Sequence, residues 1–286
     1  MSSPALKTLD LSPYPAAYRE VGKGPVLLFL HGFLGSSHNW LPLIAHLQPH
    51  YHCIALDLLG FGDSAKPELR YTIWHQVEFL HQVIQALNLK QFTLVGHSYG
   101  GWTAAAYAIA GSTPRPALVP PHLPPITPSP QKLVLLAPAG IRDDTFVGRY
   151  THLKPLLWDT TWIDAALRLV TPLASLIGKR QVFTKIQQIR QTLVEQPVAK
   201  SFLRDRLRPE DATDTLDIAL PQITCPTLII AGAQDTTIPL WHAQAYAQGI
   251  SGAQLQILPE AGHDLPKAYQ EKISAFINFF VNFDEP

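Results

Sequence analysis

The sequence has few cysteines, no long apolar run and no excess of charge, and each absence excludes a class of protein. Only two cysteines, Cys53 and Cys225, occur among the 286 residues, whereas a secreted scaffold held by disulfides carries more of them at regular spacing. We therefore expect two buried thiols in a reducing compartment, which means a cytoplasmic location. No apolar run reaches the roughly 18–20 residues that a membrane span needs. No signal peptide is evident at the start of the printed sequence.

The charges of the chain balance, with 22 Lys and Arg residues against 22 Asp and Glu residues. A chain without excess cations is poorly suited to contact many phosphates, so we do not expect a nucleic-acid partner. Hydrophobic residues make up 47% of the sequence, which is enough to build a sizeable core. The length fits one large domain, or a core with an inserted subdomain.

Apolar runs alternate with helical patterns along most of the chain. The runs typical of strands are Val26–His31, His52–Leu58, Phe92–Gly96, Lys132–Pro138, Thr227–Gly232 and Leu255–Pro259. Helical patterns occupy Thr72–Leu87, Tyr99–Ala110 and a C-terminal stretch that ends with Phe276–Val281. This alternation predicts an α/β fold, with a mostly parallel sheet and helices on both faces. At the front, Gly22 and Gly24 between extended stretches predict a hairpin.

Two segments interrupt the alternation. Residues 111–131 hold eight of the 26 prolines, and proline continues neither a helix nor a strand ladder, so we expect an exposed, polyproline-like excursion. Residues 141–217 carry helical patterning, with Trp158 and Trp162 among the apolar positions. We expect these residues to form a helical cap, inserted into a core made of residues 1–140 and 218–286.

The motif that carries chemistry is the stretch TLVGHSYGG, residues 93–101. Gly-x-Ser-x-Gly between a strand and a helix is the context of a nucleophile elbow, a tight turn that exposes a serine at the edge of the sheet. The sequence therefore predicts Ser98 as a nucleophile. The alternative is a glycine-rich helix start with Ser98 as its N-cap.

A serine nucleophile needs a base, and the base needs an orienting carboxylate. His263 follows the last predicted strand, and Asp235 follows the strand before it. The chain order Ser98, Asp235, His263 is the order in which a serine elbow of this kind is followed by its acid and its base. The alternatives are Asp143 or Asp144 as the acid and His242 as the base. We expect His97 to fill space under the elbow and Asp264 to be a solvated or helix-start carboxylate.

Acyl transfer also needs donors for the oxyanion. The stretch LHGFLGSS, residues 30–37, follows the first apolar run. We expect the main-chain N–H groups of Phe33 and Tyr99 to form the oxyanion hole. A plain strand-to-helix turn is the other interpretation of this loop.

Taken together, HGFLGSS, DLLGFGDS, GHSYGG, GAQD and AGHD resemble the α/β-hydrolase fold superfamily, in its serine-nucleophile, esterase- and lipase-like branch. The resemblance covers about residues 17–110, 132–140 and 218–283 and implies a Ser-His-Asp triad. Esterases, lipases, thioesterases, C–C bond hydrolases, lyases and hormone receptors share the fold. HGFLGSSHNW is similar to the lyase of menaquinone or phylloquinone synthesis.

These observations predict a serine hydrolase that cleaves a small or medium carboxylic ester through an acyl-serine, without a cofactor or a metal. The alternatives are a C–C bond hydrolase or lyase on the same triad, and a receptor or scaffold without turnover. Residues 141–208 contain twelve Lys and Arg against six Asp and Glu. The first interpretation of this excess is a solvated basic surface. The second is a cap whose basic groups attract an anionic small-molecule substrate. The sequence leaves the oligomeric state open.

Two further patterns resemble binding motifs but do not predict a binding site. GFGDSA, residues 60–65, is a loose match to a dinucleotide fingerprint, but Lys66 and Pro67 follow at once and no helix opens there. We expect a turn. The histidines at 46, 50 and 52 share no recognised ligand spacing with a cysteine or carboxylate, so we expect no metal site.

Overall fold

The computed structural model describes residues 4–143, 164–166, 169–170, 180–205 and 214–282. The chain divides into two compact units. The larger unit comprises residues 1–65, 72–142 and 214–286, and the smaller comprises residues 66–71 and 143–213. The cap role of the inserted segment stays a prediction.

The strands and helices of the described residues are as follows. The strands are β1 (Leu6–Leu9), β2 (Ala16–Val21), β3 (Val26–Leu30), β4 (His52–Leu56), β5 (Thr93–His97), β6 (Lys132–Leu136), β7 (Thr227–Gly232) and β8 (Gln254–Leu258). The α-helices are α1 (Leu41–Leu47), α2 (Ile73–Ala86), α3 (Tyr99–Ala110), α4 (Arg180–Glu195), α5 (Pro197–Asp205), α6 (Leu240–Gly249), α7 (Leu265–Ala268) and α8 (Gln270–Asn282). Short 3-10 turns cover Ser37–Trp40 and Asp217–Gln222.

The strands form one eight-stranded sheet in the order β1-β2-β4-β3-β5-β6-β7-β8. β2 pairs antiparallel with β1 and β4, and every other pairing is parallel. The prediction of an α/β fold with a mostly parallel sheet is confirmed. Because the carboxyl ends of parallel strands meet at one edge, the loops after β3, β4, β5, β7 and β8 open on the same edge of the sheet.

Both faces of the central strands are buried, which explains their continuous apolar sequence. Leu27 and Phe29 of β3 belong to a core cluster that includes the apolar residues of α1 and α8. Leu28 and Leu30 alternate with them, point to the opposite face and are equally inaccessible. α3 packs against β5 and β6 and contacts α2, so helices cover the sheet as predicted.

The hairpin predicted around Gly22 and Gly24 is wrong. β4 lies between β2 and β3, so the strands on either side of these glycines are not partners. Both glycines have positive φ angles, 84° and 119°. A Cβ atom on Gly22 would lie 2.1 Å from the carbonyl oxygen of Tyr51, and one on Gly24 would lie 2.5 Å from that of His50. The glycines therefore allow the chain to pass close to the backbone that leads into β4.

Residues 111–131 form neither helix nor strand, as their prolines predict. The expectation of an exposed excursion is correct only in part, because several apolar side chains are buried, among them Val119, Leu123 and Ile126. The Arg115 guanidinium donates a 2.9 Å hydrogen bond to the carbonyl of Leu123. The Tyr107 hydroxyl of α3 donates one of 3.1 Å to the carbonyl of Pro128. The segment is thus folded on itself and held to the core.

The smaller unit contains α4 and α5, which contact each other. Arg190 of α4 is buried and donates to both carboxylate oxygens of Asp164, over 2.5 and 2.9 Å. The main-chain N–H of Tyr71 donates to the Ser201 hydroxyl of α5 over 2.9 Å. Trp158 and Trp162, expected in the apolar part of this segment, lie outside the described residues.

Candidate active site

Ser98 lies in a strained turn between β5 and α3. Its φ and ψ angles are 53° and −114°, a conformation that non-glycine residues rarely adopt. A Cβ atom on Gly96 would lie 2.3 Å from the carbonyl oxygen of Gly100, and one on Gly100 would lie 2.1 Å from that of Leu30. No side chain fits at either position, so the glycines of the motif are required by close backbone approach.

The backbone around Ser98 is fixed by three hydrogen bonds. The Ser98 N–H donates to the carbonyl of Leu136 over 2.9 Å, and the Ser98 carbonyl accepts from the N–H groups of Trp102 and Ala139 over 3.0 and 3.1 Å. The turn is therefore tied to α3 and to the end of β6. These bonds hold the hydroxyl at the start of a helix, where the helix dipole favours negative charge.

Asp235 and His263 meet Ser98 from the loops after β7 and β8. His263 Nε2 lies 3.0 Å from Ser98 Oγ, and His263 Nδ1 lies 2.7 Å from Asp235 Oδ2. Because a carboxylate only accepts, Nδ1 carries the hydrogen, which leaves the lone pair of Nε2 facing the serine hydroxyl. The His263 side chain is 24% exposed and the Asp235 side chain 1%. The imidazole is thus accessible to water while its carboxylate partner is buried.

The other carboxylate oxygen of Asp235 accepts its hydrogen bonds from the backbone. Oδ1 accepts hydrogen bonds of 2.8 and 2.9 Å from the N–H groups of Thr237 and Ile238, so Oδ2 is left to face the imidazole. Burial by itself raises the pKa of Asp235, but the hydrogen bond and charge of His263, together with these N–H donors, outweigh it and lower the pKa overall. The carboxylate is therefore ionised at neutral pH.

His97, expected to fill space under the elbow, also makes a specific hydrogen bond. Its Nε2 donates to the main-chain carbonyl of His263 over 2.8 Å, and the two ring centroids are 4.8 Å apart. Burial, and then the neighbouring His263, lowers the pKa of His97 to about 3. The ring is therefore neutral at ordinary pH.

The loop proposed to supply an oxyanion donor is held by two buried residues that the sequence interpretation missed. His31 donates from Nδ1 to the Gly32 carbonyl over 2.7 Å and accepts at Nε2 from the Leu58 N–H over 3.0 Å. Asp57 accepts from the N–H groups of Ser37 and Asp63 over 2.5 and 2.8 Å. Both residues follow apolar strands that pair in parallel, β3 and β4, and that position is the signal that points to this edge of the sheet.

The side chains of Phe33 and Tyr99, the two expected main-chain donors, contact each other. Their ring centroids are 5.9 Å apart, and the Phe61 ring lies 5.7 Å from Phe33 and 5.8 Å from Tyr99. All three pairs meet edge to face, which is a favourable aromatic geometry. The aromatic trio, Phe33, Phe61 and Tyr99, therefore links the loop after β3 to the start of α3.

None of the alternative residues is recorded in contact with Ser98 or His263 in the described part of the chain, and one of them is not described. The carboxylate that contacts the imidazole is Asp235, while Asp144 lies outside the described residues and Asp143 belongs to the smaller unit. His242 is buried in α6, and the centroid of its ring lies 4.0 Å from that of Trp241, with the two rings tilted by 43°. Asp264 is exposed at the start of α7, as expected.

The sequence assigns no binding role to the GFGDSA segment, the two cysteines or the clustered histidines. In the segment expected to be a turn, the N–H groups of Phe61 and Ser64 donate to carbonyls three residues earlier. Cys53 is buried in β4, and burial raises its pKa to about 12. Cys225, also expected to be buried, is only half-buried, and desolvation raises its pKa to about 11. Within the ranges that the structure describes, no group of three His, Cys, Asp or Glu residues is arranged to hold a metal ion.

The mostly parallel sheet and the serine turn between β5 and α3 are features of the α/β-hydrolase fold. Residues 25–119 match the family model of the alpha/beta hydrolase fold. The chain has the α/β-hydrolase fold, and the match to this model together with named relatives that are hydrolases supports an enzyme of that class. In the described part of the chain, no helix has both the length and the apolar character to cross a bilayer.

Relatives of known name have different substrates. The chain is 27% identical, over 262 residues, to 2-hydroxy-6-oxo-6-(2'-aminophenyl)hexa-2,4-dienoic acid hydrolase of Metapseudomonas resinovorans, covering 86% of this chain and 80% of that protein. It is 28% identical, over 282 residues, to a monoacylglycerol lipase of Xenopus laevis, covering 91% and 76%. A hydrolase from Pseudomonas aeruginosa has a similar solved structure, with a TM-score of 0.71 and 22% identity over 99% of this chain and 100% of that chain.

Proposed function

We propose that the chain is a serine hydrolase that cleaves a small or medium carboxylic ester through an acyl-serine. The observation that carries this proposal is the continuous hydrogen-bonded series from Ser98 Oγ through the His263 imidazole to Asp235 Oδ2. A nucleophile, a base within hydrogen-bond reach and a group that orients the base are the three parts that such chemistry requires.

The geometry supports the following sequence of proton transfers. His263 Nε2 takes the Ser98 proton as the oxygen attacks the ester carbonyl, and the imidazolium then returns it to the leaving alcohol. Asp235 holds the ring in the tautomer with Nδ1 protonated and stabilises its positive charge. In the second half, a water molecule gives its proton to His263 and attacks the acyl carbon, which releases the acid and restores Ser98.

The oxyanion of each tetrahedral intermediate needs preorganised donors. We assign this role to the main-chain N–H groups of Phe33 and Tyr99. Tyr99 is the first residue of the twelve-residue helix α3, so its N–H points out of the helix N-terminus, where negative charge is stabilised. The ring contacts within the aromatic trio link the two backbone segments that carry these N–H groups.

An ester is the substrate class that we favour, and the similarity to a monoacylglycerol lipase over 91% of the chain supports it. A C–C bond hydrolase is the second candidate, because the chain is about as similar to a dienoic acid hydrolase. The two chemistries use the same nucleophile and base, so the triad does not distinguish them. The basic composition of residues 141–208 leads us to include anionic substrates in either class.

The proposal is tested with purified protein, a fluorophosphonate probe and a chain-length series of p-nitrophenyl esters. We expect the probe to label the wild-type protein, the Ser98→Ala variant to stay unlabelled, and that variant to lose several orders of magnitude in kcat. Retention of most esterase activity by Ser98→Ala would show that the nucleophile is wrong. Absence of labelling in the wild type would favour a receptor or scaffold.

A parallel assay separates ester from C–C bond cleavage. The same preparation is offered a 2-hydroxy-6-oxo-dienoate and the esters, and kcat/KM is compared between them. A kcat/KM for the dienoate that exceeds that of every ester would replace our assignment by the second candidate. Faster turnover of esters that carry a carboxylate than of neutral esters of equal length would support an anionic substrate.

A further inference from the structure

His97 occupies the last position of β5, directly before the nucleophile, and bonds to the residue that activates the nucleophile. Its Nε2 lies 2.8 Å from the main-chain oxygen of His263. Because a carbonyl oxygen only accepts, Nε2 carries the hydrogen of the neutral ring. The bond joins residues that are 166 positions apart in sequence, so it ties the loop after β8 directly to the elbow strand.

The ring of His97 also lies against the other parts of the site. Its centroid is 4.8 Å from that of the His263 imidazole and 6.5 Å from the Trp40 ring, which meets it edge-on at 88°. A Cβ atom on Gly32 would lie 3.1 Å from His97 Nδ1, so a side chain at position 32 would crowd the ring from the loop after β3. One side chain thus contacts the segments that carry the base and an expected oxyanion donor.

The charge state of His97 suits a residue beside the catalytic base. The groups that act on it are His263, Asp235 and His31, and its environment keeps it neutral. A cation at this distance from His263 would oppose protonation of the base during ester attack. A neutral imidazole donates the hydrogen bond to the His263 carbonyl without that penalty.

We propose that His97 is a positioning residue, whose Nε2–H holds the main chain of His263 so that its imidazole stays within hydrogen-bond reach of Ser98 Oγ. This inference rests on the proposed function, because it assigns His97 a role in the activation of Ser98 by His263. A displacement of the base by about an ångström is enough to lower turnover substantially, even when substrate binding is unchanged.

Two substitutions separate the hydrogen bond from packing. In His97→Gln, the amide nitrogen reaches about as far as histidine Nε2 and still donates. His97→Met has similar length and no donor. We expect His97→Met to lower kcat for a p-nitrophenyl ester roughly 10- to 100-fold, with KM changed less than about twofold, and His97→Gln to restore most of the loss. His81→Gln and His81→Met are the controls, because His81 is a buried histidine of α2 that packs on Tyr107.

The outcomes distinguish this inference from the proposed function. Wild-type kcat in His97→Met, or equal losses in the glutamine and methionine variants, would overturn the positioning role even if the probe labels Ser98 normally. Failure of the probe to label the wild type would instead remove the proposed function. If His97→Met does not fold, His97→Asn replaces it, because its shorter amide cannot reach the His263 carbonyl, and the same comparison with His97→Gln applies.

Discussion

A Cβ atom on Gly100 would lie 2.1 Å from the carbonyl oxygen of Leu30, at the end of the neighbouring strand β3. The contact is with backbone, so no side-chain rotation relieves it. The start of α3 can therefore approach β3 only when residue 100 is glycine, and this approach sets the position of Ser98 above the sheet.

Gly100→Ala should distort the turn that carries the nucleophile. We expect the free energy of unfolding to fall by about 1–3 kcal/mol, as in overpacked cores, and esterase activity to fall further than stability alone explains. Urea unfolding and kcat on the same preparation measure both effects. The matched control is Gly262→Ala beside His263, where a Cβ atom would meet nothing closer than 3.9 Å. Equal losses in the two variants would contradict the steric explanation.

Much of this site can be predicted from local pattern. The motif around Ser98 requires glycine at positions 96 and 100 for reasons that apply wherever this turn occurs, so the sequence alone indicates its geometry. Asp235 and His263 each follow an apolar run, and the parallel arrangement brings strand ends to one edge. The structure accordingly places these three side chains in contact.

The features that the sequence did not reveal depend on which distant segments become neighbours. The pattern around Gly22 and Gly24 indicates a change of direction but does not say that β4 enters between β2 and β3. The bond that the Asp57 carboxylate accepts from the Ser37 N–H and the bond that His97 donates to the His263 carbonyl likewise join a side chain to a distant main-chain group. Periodicity and motif spacing carry no information about such contacts.

Asp235→Asn tests the orienting role of the carboxylate. The asparagine amide can donate to His263 Nδ1, which favours the tautomer with the hydrogen on Nε2 and removes the acceptor that faces Ser98. We expect kcat to fall on the order of 10⁴-fold while the fold is retained. Asp264→Asn, at the exposed neighbour of His263, is the control and should keep wild-type kcat. A small effect of Asp235→Asn on kcat would mean that another group orients the base.

Asp57→Ala should loosen the loop that follows β3. The substitution leaves the N–H groups of Ser37 and Asp63 without their carboxylate partner, and we expect a loss of about 1–3 kcal/mol of unfolding free energy. Because that loop contains Phe33, kcat should fall as well if its N–H binds the oxyanion. Asp63→Ala is the control, since the side chain of Asp63 is exposed and only its N–H contacts Asp57. Unchanged kcat with lowered stability would separate Asp57 from the oxyanion hole.

The pKa of His97 predicts how stability depends on pH. The native pKa is lowered from 6.5 to about 3, so between these values the unfolded chain binds a proton at this residue that the folded chain does not. Acidification through this window therefore favours unfolding, by at most about 1.4 kcal/mol per pH unit from this one group. His97→Gln removes the contribution, so its unfolding free energy should fall less steeply than that of the wild type between about pH 6.5 and pH 4. Urea unfolding across this range measures the slope of unfolding free energy against pH for each variant. His122→Gln, at an exposed histidine, is the control. Parallel slopes for the wild type and His97→Gln would show that His97 takes up its proton equally in the folded and unfolded states.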